Sequence, residues 1–144
     1  MRVAWSRPLE WDTESAMLRI TKEFHFSASH VIEGLPTWHP CARMHGHNYV
    51  VALELSARKE DLKGPGFVRD YRELDAFKRW IDDTLDHRHL NEAMNEAMGG
   101  GSAPTAENLC TWIFDLWKTR LPELTAVRVD ETPKTSAVYR PGER

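Results

Sequence analysis

Cysteine is scarce in this chain: Cys41 and Cys110 are the only two in 144 residues, too few for the disulfide framework of a small secreted domain. One bridge between them is the most that their number allows. No run of about 20 apolar residues occurs, so no membrane-spanning helix is expected. The opening MRVAWSRPLEWDTES lacks the apolar stretch of a secretion signal, and these absences together point to the cytoplasm. Positive charge is also short. The 19 Lys and Arg stand against 22 Asp and Glu, a net charge of −3 with the signs mixed along the chain, which argues against nucleic acid as a partner because phosphate-backbone binding needs a basic field. Repeats and low-complexity tracts are absent too.

What is present suits one core. Hydrophobic residues at 41% and charged residues at 28% argue against disorder, and a chain of this length buries roughly two thirds of the surface its unfolded form exposes. A single domain is expected over residues 17–144, after an N-terminal extension over residues 1–16 that reads as a surface or docking arm. From Met17, Leu18, Ile20, Phe24, Phe26 and Ala28 recur at even positions, the period of a strand with one wet face. Gly34, Pro36 and Pro40 then impose a loop, and HGHNYVVALELSA resumes alternation as a second, antiparallel strand.

The period changes after KEDLKGPG, which reads as a turn. Leu74, Phe77, Ile81 and Leu85 form one stripe of an amphipathic helix from about Tyr71 to Leu85. Gly99 to Gly101 mark a flexible connection. A second helix is expected from about Ala106 to Arg120, with Thr105 as N-cap, Glu107 favourable near the positive end of the dipole, and an inward stripe of Leu109, Ile113, Leu116 and Trp117. LTAVRVDE then reads as a strand with Val127 and Val129 on one face, and TSAVYR as a short partner across the turn at Pro133.

Seven histidines carry most of the chemical information. His45 and His47, spaced i, i+2 at the head of a strand, point to one face. His30 ends the preceding strand on the parity of Phe26 and Ala28, so antiparallel pairing across the connecting loop brings three imidazoles together. Three neutral imidazoles with a fourth position left for water or substrate describe a catalytic zinc site. Cys41, four residues before His45, has three readings: a fourth ligand that closes the site, a thiolate made reactive by a nearby cation, or an inert buried cysteine. Cys110 reads as inert. Asp86 beside His87 supplies the parts of an oriented acid or base, while His25 and His39 read as solvent-facing or loop residues and His89 as a decoy. Glu131, at a strand end, reads either as a carboxylate for ligand N–H groups or as a solvated residue.

The segments FSASH, CARMHGHNY, GFVRDYRELDAF, LDHRHLN, PTAEN and VDETPKTSAVY occur in an order that resembles the 6-pyruvoyl-tetrahydropterin synthase and 6-carboxytetrahydropterin synthase family, over about residues 18–140. No single segment is specific; six in order are. The resemblance implies an α+β tunnelling fold: a four-stranded antiparallel sheet with two helices on one face, closing as an oligomeric barrel of trimers stacked into a homohexamer with active sites between subunits. By the same resemblance His30, His45 and His47 bind zinc, Cys41 is the catalytic thiol, and Asp86 with His87 completes the proton relay. Glu131 anchors the pterin through its 2-amino group and ring N–H, with Thr105 also in the pocket. The short spacing in CARMHGH resembles the 6-carboxytetrahydropterin branch. That branch implies conversion of 7,8-dihydroneopterin triphosphate and water to 6-carboxytetrahydropterin, acetaldehyde and triphosphate, in 7-deazapurine (queuosine-type) synthesis. FSASH resembles the pyruvoyl branch, whose enzymes eliminate triphosphate; a pterin-binding zinc domain without turnover is the third alternative.

Overall fold

A computed structural model describes residues 16–98 and 102–142. The expected N-terminal arm and the expected connection at Gly99 to Gly101 lie outside the described residues, apart from Ala16. Two long strands, β1 (Met17–His30) and β2 (His45–Arg58), pair antiparallel along their whole lengths, from Met17 opposite Arg58 to His30 opposite His45. β2 continues the sheet to β4 (Leu124–Thr132), and β4 to β5 (Thr135–Tyr139), both antiparallel. β3, the two residues Arg88–His89, adds to the other side of β1 in parallel. The sheet is therefore mixed and five-stranded, in the order β3-β1-β2-β4-β5, which corrects the expected four antiparallel strands. The fifth was illegible because a two-residue strand has no period to detect.

Among the described residues three α-helices, rather than the two expected, cover one face. α1 (Asp75–Thr84) follows a 3-10 turn, Tyr71–Leu74, whose first amides are met by the Asp70 carboxylate accepting from Arg72 N–H. The expected helix from Tyr71 to Leu85 thus occurs in two pieces, and its stripe of Leu74, Phe77, Ile81 and Leu85 is buried throughout. α2 (Leu90–Met98) is the helix the sequence reading lacks. α3 (Ala106–Trp117) starts where Thr105 caps it, the hydroxyl accepting from Asn108 N–H at 3.2 Å. Its inward face is wider than expected. Leu116 is 45% exposed whereas Cys110, Trp112 and Phe114 are buried, because Phe114 turns toward β5 and meets the Tyr139 ring edge-on at 5.3 Å.

The core lies between these helices and the sheet face carrying Phe24, Phe26, Tyr49, Val51, Leu53, Val127 and Val129. Phe24 meets Phe77 at 4.9 Å, Phe77 meets Trp117 at 5.1 Å and Trp80 meets Trp112 at 5.3 Å, so aromatic rings wedge α1 and α3 onto β1. Leu18, expected on the inward face of β1, is exposed. The opposite sheet face is polar: Arg128 bridges Glu23 at 2.8 Å and Asp130 at 3.0 Å, and Glu54 pairs with Arg140. Among the described residues no helix is long and apolar enough to cross a membrane.

Candidate metal centre

The antiparallel register places His30 directly opposite His45, with Ala28 opposite His47. All three histidines stand on the helix-covered face at one end of the sheet, and the small Ala28 leaves the space between their rings open. His30 is almost fully buried, while His45 and His47 are half-buried. The rings meet edge to face, with centroids 4.5 Å apart for His30 and His45, 5.1 Å for His30 and His47, and 4.9 Å for His45 and His47. One nitrogen from each lies within 4.8 Å of the others. The group can hold a metal ion.

Hydrogen bonds decide which nitrogens face inward. His30 Nδ1 is 2.8 Å from the Pro104 carbonyl oxygen, and His45 Nδ1 is 2.7 Å from that of Arg43. A carbonyl only accepts, so both Nδ1 atoms donate and both Nε2 atoms carry lone pairs. Those two Nε2 atoms are 2.9 Å apart, a contact that repels unless positive charge lies between them. His47 Nε2 is buried and has no hydrogen-bond partner, a costly state for a polar atom that a bound cation would relieve. A shared proton could satisfy two of these nitrogens; a metal cation satisfies all three. The carbonyl partners of His30 and His45 are the outer contacts that metal-binding histidines ordinarily have.

Two more side chains complete the surroundings. Glu131, on β4, brings Oε2 to 3.9 Å from His47 Nε2, beyond hydrogen-bond distance and an ion pair only when the ring is protonated. Burial holds the His47 imidazole below its ordinary pKa, His30 and His45 add to that effect, and the Glu131 carboxylate opposes it. The buried Tyr49 hydroxyl, 3.3 Å from His30 Nδ1, is shifted well above the ordinary phenol value by burial and then by Glu131, so it remains protonated.

The remaining residues singled out in the sequence fall at different distances from this centre. Cys41 lies on the 3-10 turn Pro40–Ala42, half-buried, and does not join the histidine group. Cys110 is also free, so no bridge links the two; its thiol donates to the Ala137 carbonyl at 3.2 Å, and burial raises its pKa to about 11. Asp86 and His87 stand 3.0 Å apart at the edge of β1. Asp86 Oδ1 accepts from Ser27 N–H at 2.9 Å, and His87 N–H donates to the Ser27 carbonyl at 2.7 Å. The Ser27 amide most strongly, then the His87 side chain and Lys78, hold the Asp86 carboxyl below its ordinary value. His87 has φ +58°, the one non-glycine residue with positive φ among those described, and its side chain is 83% exposed. Strain of this kind is kept only where the surroundings enforce it. His87 reaches an open pocket of about 610 Å³ that Gly46, His47 and Asn48 also line, but no hydrogen bond or ring contact joins it to the histidine group among the described residues. His89 stands apart from the histidine group, its Nδ1 2.9 Å from Ser29 Oγ.

Sequence reasoning missed Asn91. Its side chain acts as a short piece of strand against Val31, accepting from the Val31 N–H at 2.9 Å and donating to the Val31 carbonyl at 2.8 Å. The first residue after His30 is thereby fixed. LDHRHLN ends on this asparagine, but an asparagine in a helix carries no periodic signal.

Comparisons with known proteins agree on one family. The family model described as 6-pyruvoyl tetrahydropterin synthase matches residues 19–142. The 6-carboxy-5,6,7,8-tetrahydropterin synthase of Bacillus subtilis (strain 168) is 30% identical over 85% of this chain and 84% of its own. The 6-pyruvoyl tetrahydrobiopterin synthase of Dictyostelium discoideum is 32% identical over 84% of this chain and 94% of its own. Among solved structures, the 6-pyruvoyl tetrahydropterin synthase of Caenorhabditis elegans superposes with a TM-score of 0.72 at 26% identity, covering 87% of this chain and 96% of that one.

Proposed function

The chain belongs to the 6-pyruvoyl tetrahydropterin synthase family, and on that premise we propose that it is a zinc-dependent, cytoplasmic 6-carboxytetrahydropterin synthase. Its substrate is 7,8-dihydroneopterin triphosphate, which with water yields 6-carboxytetrahydropterin, acetaldehyde and triphosphate for 7-deazapurine synthesis of the queuosine type. The observation that carries this reading is the convergence of three imidazoles beside a carboxylate, with the Nε2 lone pairs of His30 and His45 facing each other and the buried His47 Nε2 without a partner. Several relatives named 6-carboxytetrahydropterin synthase support the choice of product.

Each residue has a task in this reading. His30, His45 and His47 would hold zinc, which when bound would supply Lewis-acid chemistry that eases proton removal at a hydroxyl of the pterin side chain. Glu131 accepts hydrogen bonds from the pterin 2-amino group and ring N–H. Cys41 takes or returns a proton at the reacting carbons, and Asp86 orients His87 for the opposite transfer. Thr105, whose hydroxyl already caps α3, borders the pocket. Residues 17–144 act as one domain after the extension over residues 1–16, and they work within a homohexamer built from two trimers, its tunnel lined by the polar sheet face.

Product identification tests the assignment. Acetaldehyde released in step with triphosphate is the expected outcome; a pyruvoyl product without acetaldehyde would place the chain with its Dictyostelium relative instead. Cys41→Ala separates catalysis from a closed structural centre. The enzyme reading expects one zinc per chain retained and turnover lost, whereas a structural ligand would cost metal and folding together.

A further inference from the structure

One histidine outside the triad is spent on the backbone. His39 precedes the 3-10 turn Pro40–Ala42, and its Nδ1 accepts from the Cys41 amide at 3.0 Å. Pro40, first in the turn, has no N–H to satisfy, so the Cys41 amide is the first donor needing a partner. The Cys41 carbonyl accepts from the Ile32 N–H at 2.9 Å, and Ile32 lies two residues past His30. Both backbone polar groups of Cys41 are therefore held, one of them by an imidazole. Such positions are ordinarily capped by Ser, Thr, Asp or Asn. His39 supplies the same acceptor from a half-buried ring, 5.8 Å from the Trp38 ring.

We propose that His39 is a positioning residue for Cys41: its Nδ1 holds the turn that carries the thiol, and turnover depends on that acceptor. The inference rests on the assignment of Cys41 as the catalytic thiol. A reacting group displaced by about 1 Å can lose up to a hundredfold in rate, and a turn anchored at both backbone groups prevents such drift. The acceptor is what matters here, so a shorter side chain offering an oxygen at the same place should serve in its stead.

The test uses the full chain loaded with zinc and the variants His39→Ala and His39→Asn. Three quantities are read: the rate of iodoacetamide labelling at Cys41 against the buried Cys110, the zinc bound per chain, and kcat and KM on 7,8-dihydroneopterin triphosphate. His39→Ala is expected to label Cys41 at least threefold faster with Cys110 still protected, to keep its zinc, and to lose about tenfold or more in kcat with KM within twofold. His39→Asn is expected to return labelling and kcat to within threefold of the parent. The proposal is overturned if Asn restores nothing, if Ala changes neither labelling nor kcat by twofold, or if Cys110 becomes labelled as fast as Cys41. Should the parent itself not turn over this substrate, the functional assignment fails, and the labelling of the two variants still decides whether His39 holds the thiol's turn.

Discussion

At the scale of single residues, the tautomers matter more than the presence of three histidines. Two backbone carbonyls, of Pro104 and Arg43, fix the proton on Nδ1 of His30 and His45, and this turns a polar cluster into a set of donors for a cation. The sequence placed all three residues, from two strands, on one sheet face by spacing and parity alone. It could not supply the Pro104 carbonyl, which comes from 74 residues away. Glu131 is the partner with the sharpest test. Its carboxylate offers acceptors only, so Glu131→Gln puts an amide N–H where the proposed pterin presents its own N–H groups. An unmatched buried pair costs about 1–3 kcal/mol, which corresponds to substrate binding weakened by roughly ten- to a hundredfold. Titration of zinc-loaded protein with a pterin, read by fluorescence, checks this, with zinc content as the control. Unaltered affinity would take Glu131 out of the binding pocket.

At the scale of elements, alternation and the helical stripe were legible wherever burial is one-sided. Phe24, Phe26 and Ala28 on β1, Tyr49 to Leu55 on β2, and Leu74 to Leu85 through α1 all face the core as their periods require. Two elements escaped. α2 buries Leu90 and Met94 at i, i+4, a single pair too short to form a stripe, in a segment that ends at three glycines. β3 exists only because β1 offers Ala28 and Ser29 an edge. These unread elements are the ones that secure the His30 end of β1, and Asn91 on α2 shows how. Asn91→Ala would leave the Val31 amide and carbonyl without partners, costing about 1–3 kcal/mol in stability. It would also free the residue after His30, and loss of such outer support typically lowers metal affinity ten- to a hundredfold. Urea unfolding and chelator competition measure the two effects. A variant with lower stability and undiminished metal affinity would show that Asn91 holds the helix without serving the centre. Acid stability is set across strands. Burial alone would raise the Glu54 pKa, but hydrogen bonds from Arg140 and Thr125, with the charges of Arg140 and Arg19, outweigh it and hold the carboxyl below its ordinary value. A lowered carboxylate pKa contributes stability above the unfolded value, and the contribution is lost as pH falls through the folded one. Unfolding midpoints of the parent should therefore drop on acidification below about pH 5, and Glu54→Gln, less stable at neutral pH, should show a shallower drop. Parallel pH curves for the two proteins would exclude Glu54 as a source of the acid sensitivity.

For the whole molecule, the proposed relay raises the question of whether Asp86 and His87 serve the triad of their own chain or that of a neighbour. Within one chain they are fixed at Ser27 on the edge of β1 and touch none of the three histidines. The same edge of β1 pairs with β3 only at Ala28 and Ser29, and β5 pairs only with β4, so both sides of the sheet keep long unpaired edges among the described residues. Unpaired edges are templates for another strand, and copies joined edge to edge would bring the strained His87 of one chain toward a neighbour. If the relay acts across that junction, Cys41→Ala and His87→Ala damage different halves of each composite site. Either variant alone should be nearly inactive. Unfolded together and refolded as a random mixture, about a quarter of the sites would draw an intact half from each parent, and activity should return to about that fraction. If both residues serve the site of their own chain, every site in the mixture keeps one defect and no activity returns. Native mass spectrometry of a mixture in which one variant is isotope-labelled establishes that mixed oligomers have formed, so silence in the assay would then place the whole relay within a single chain.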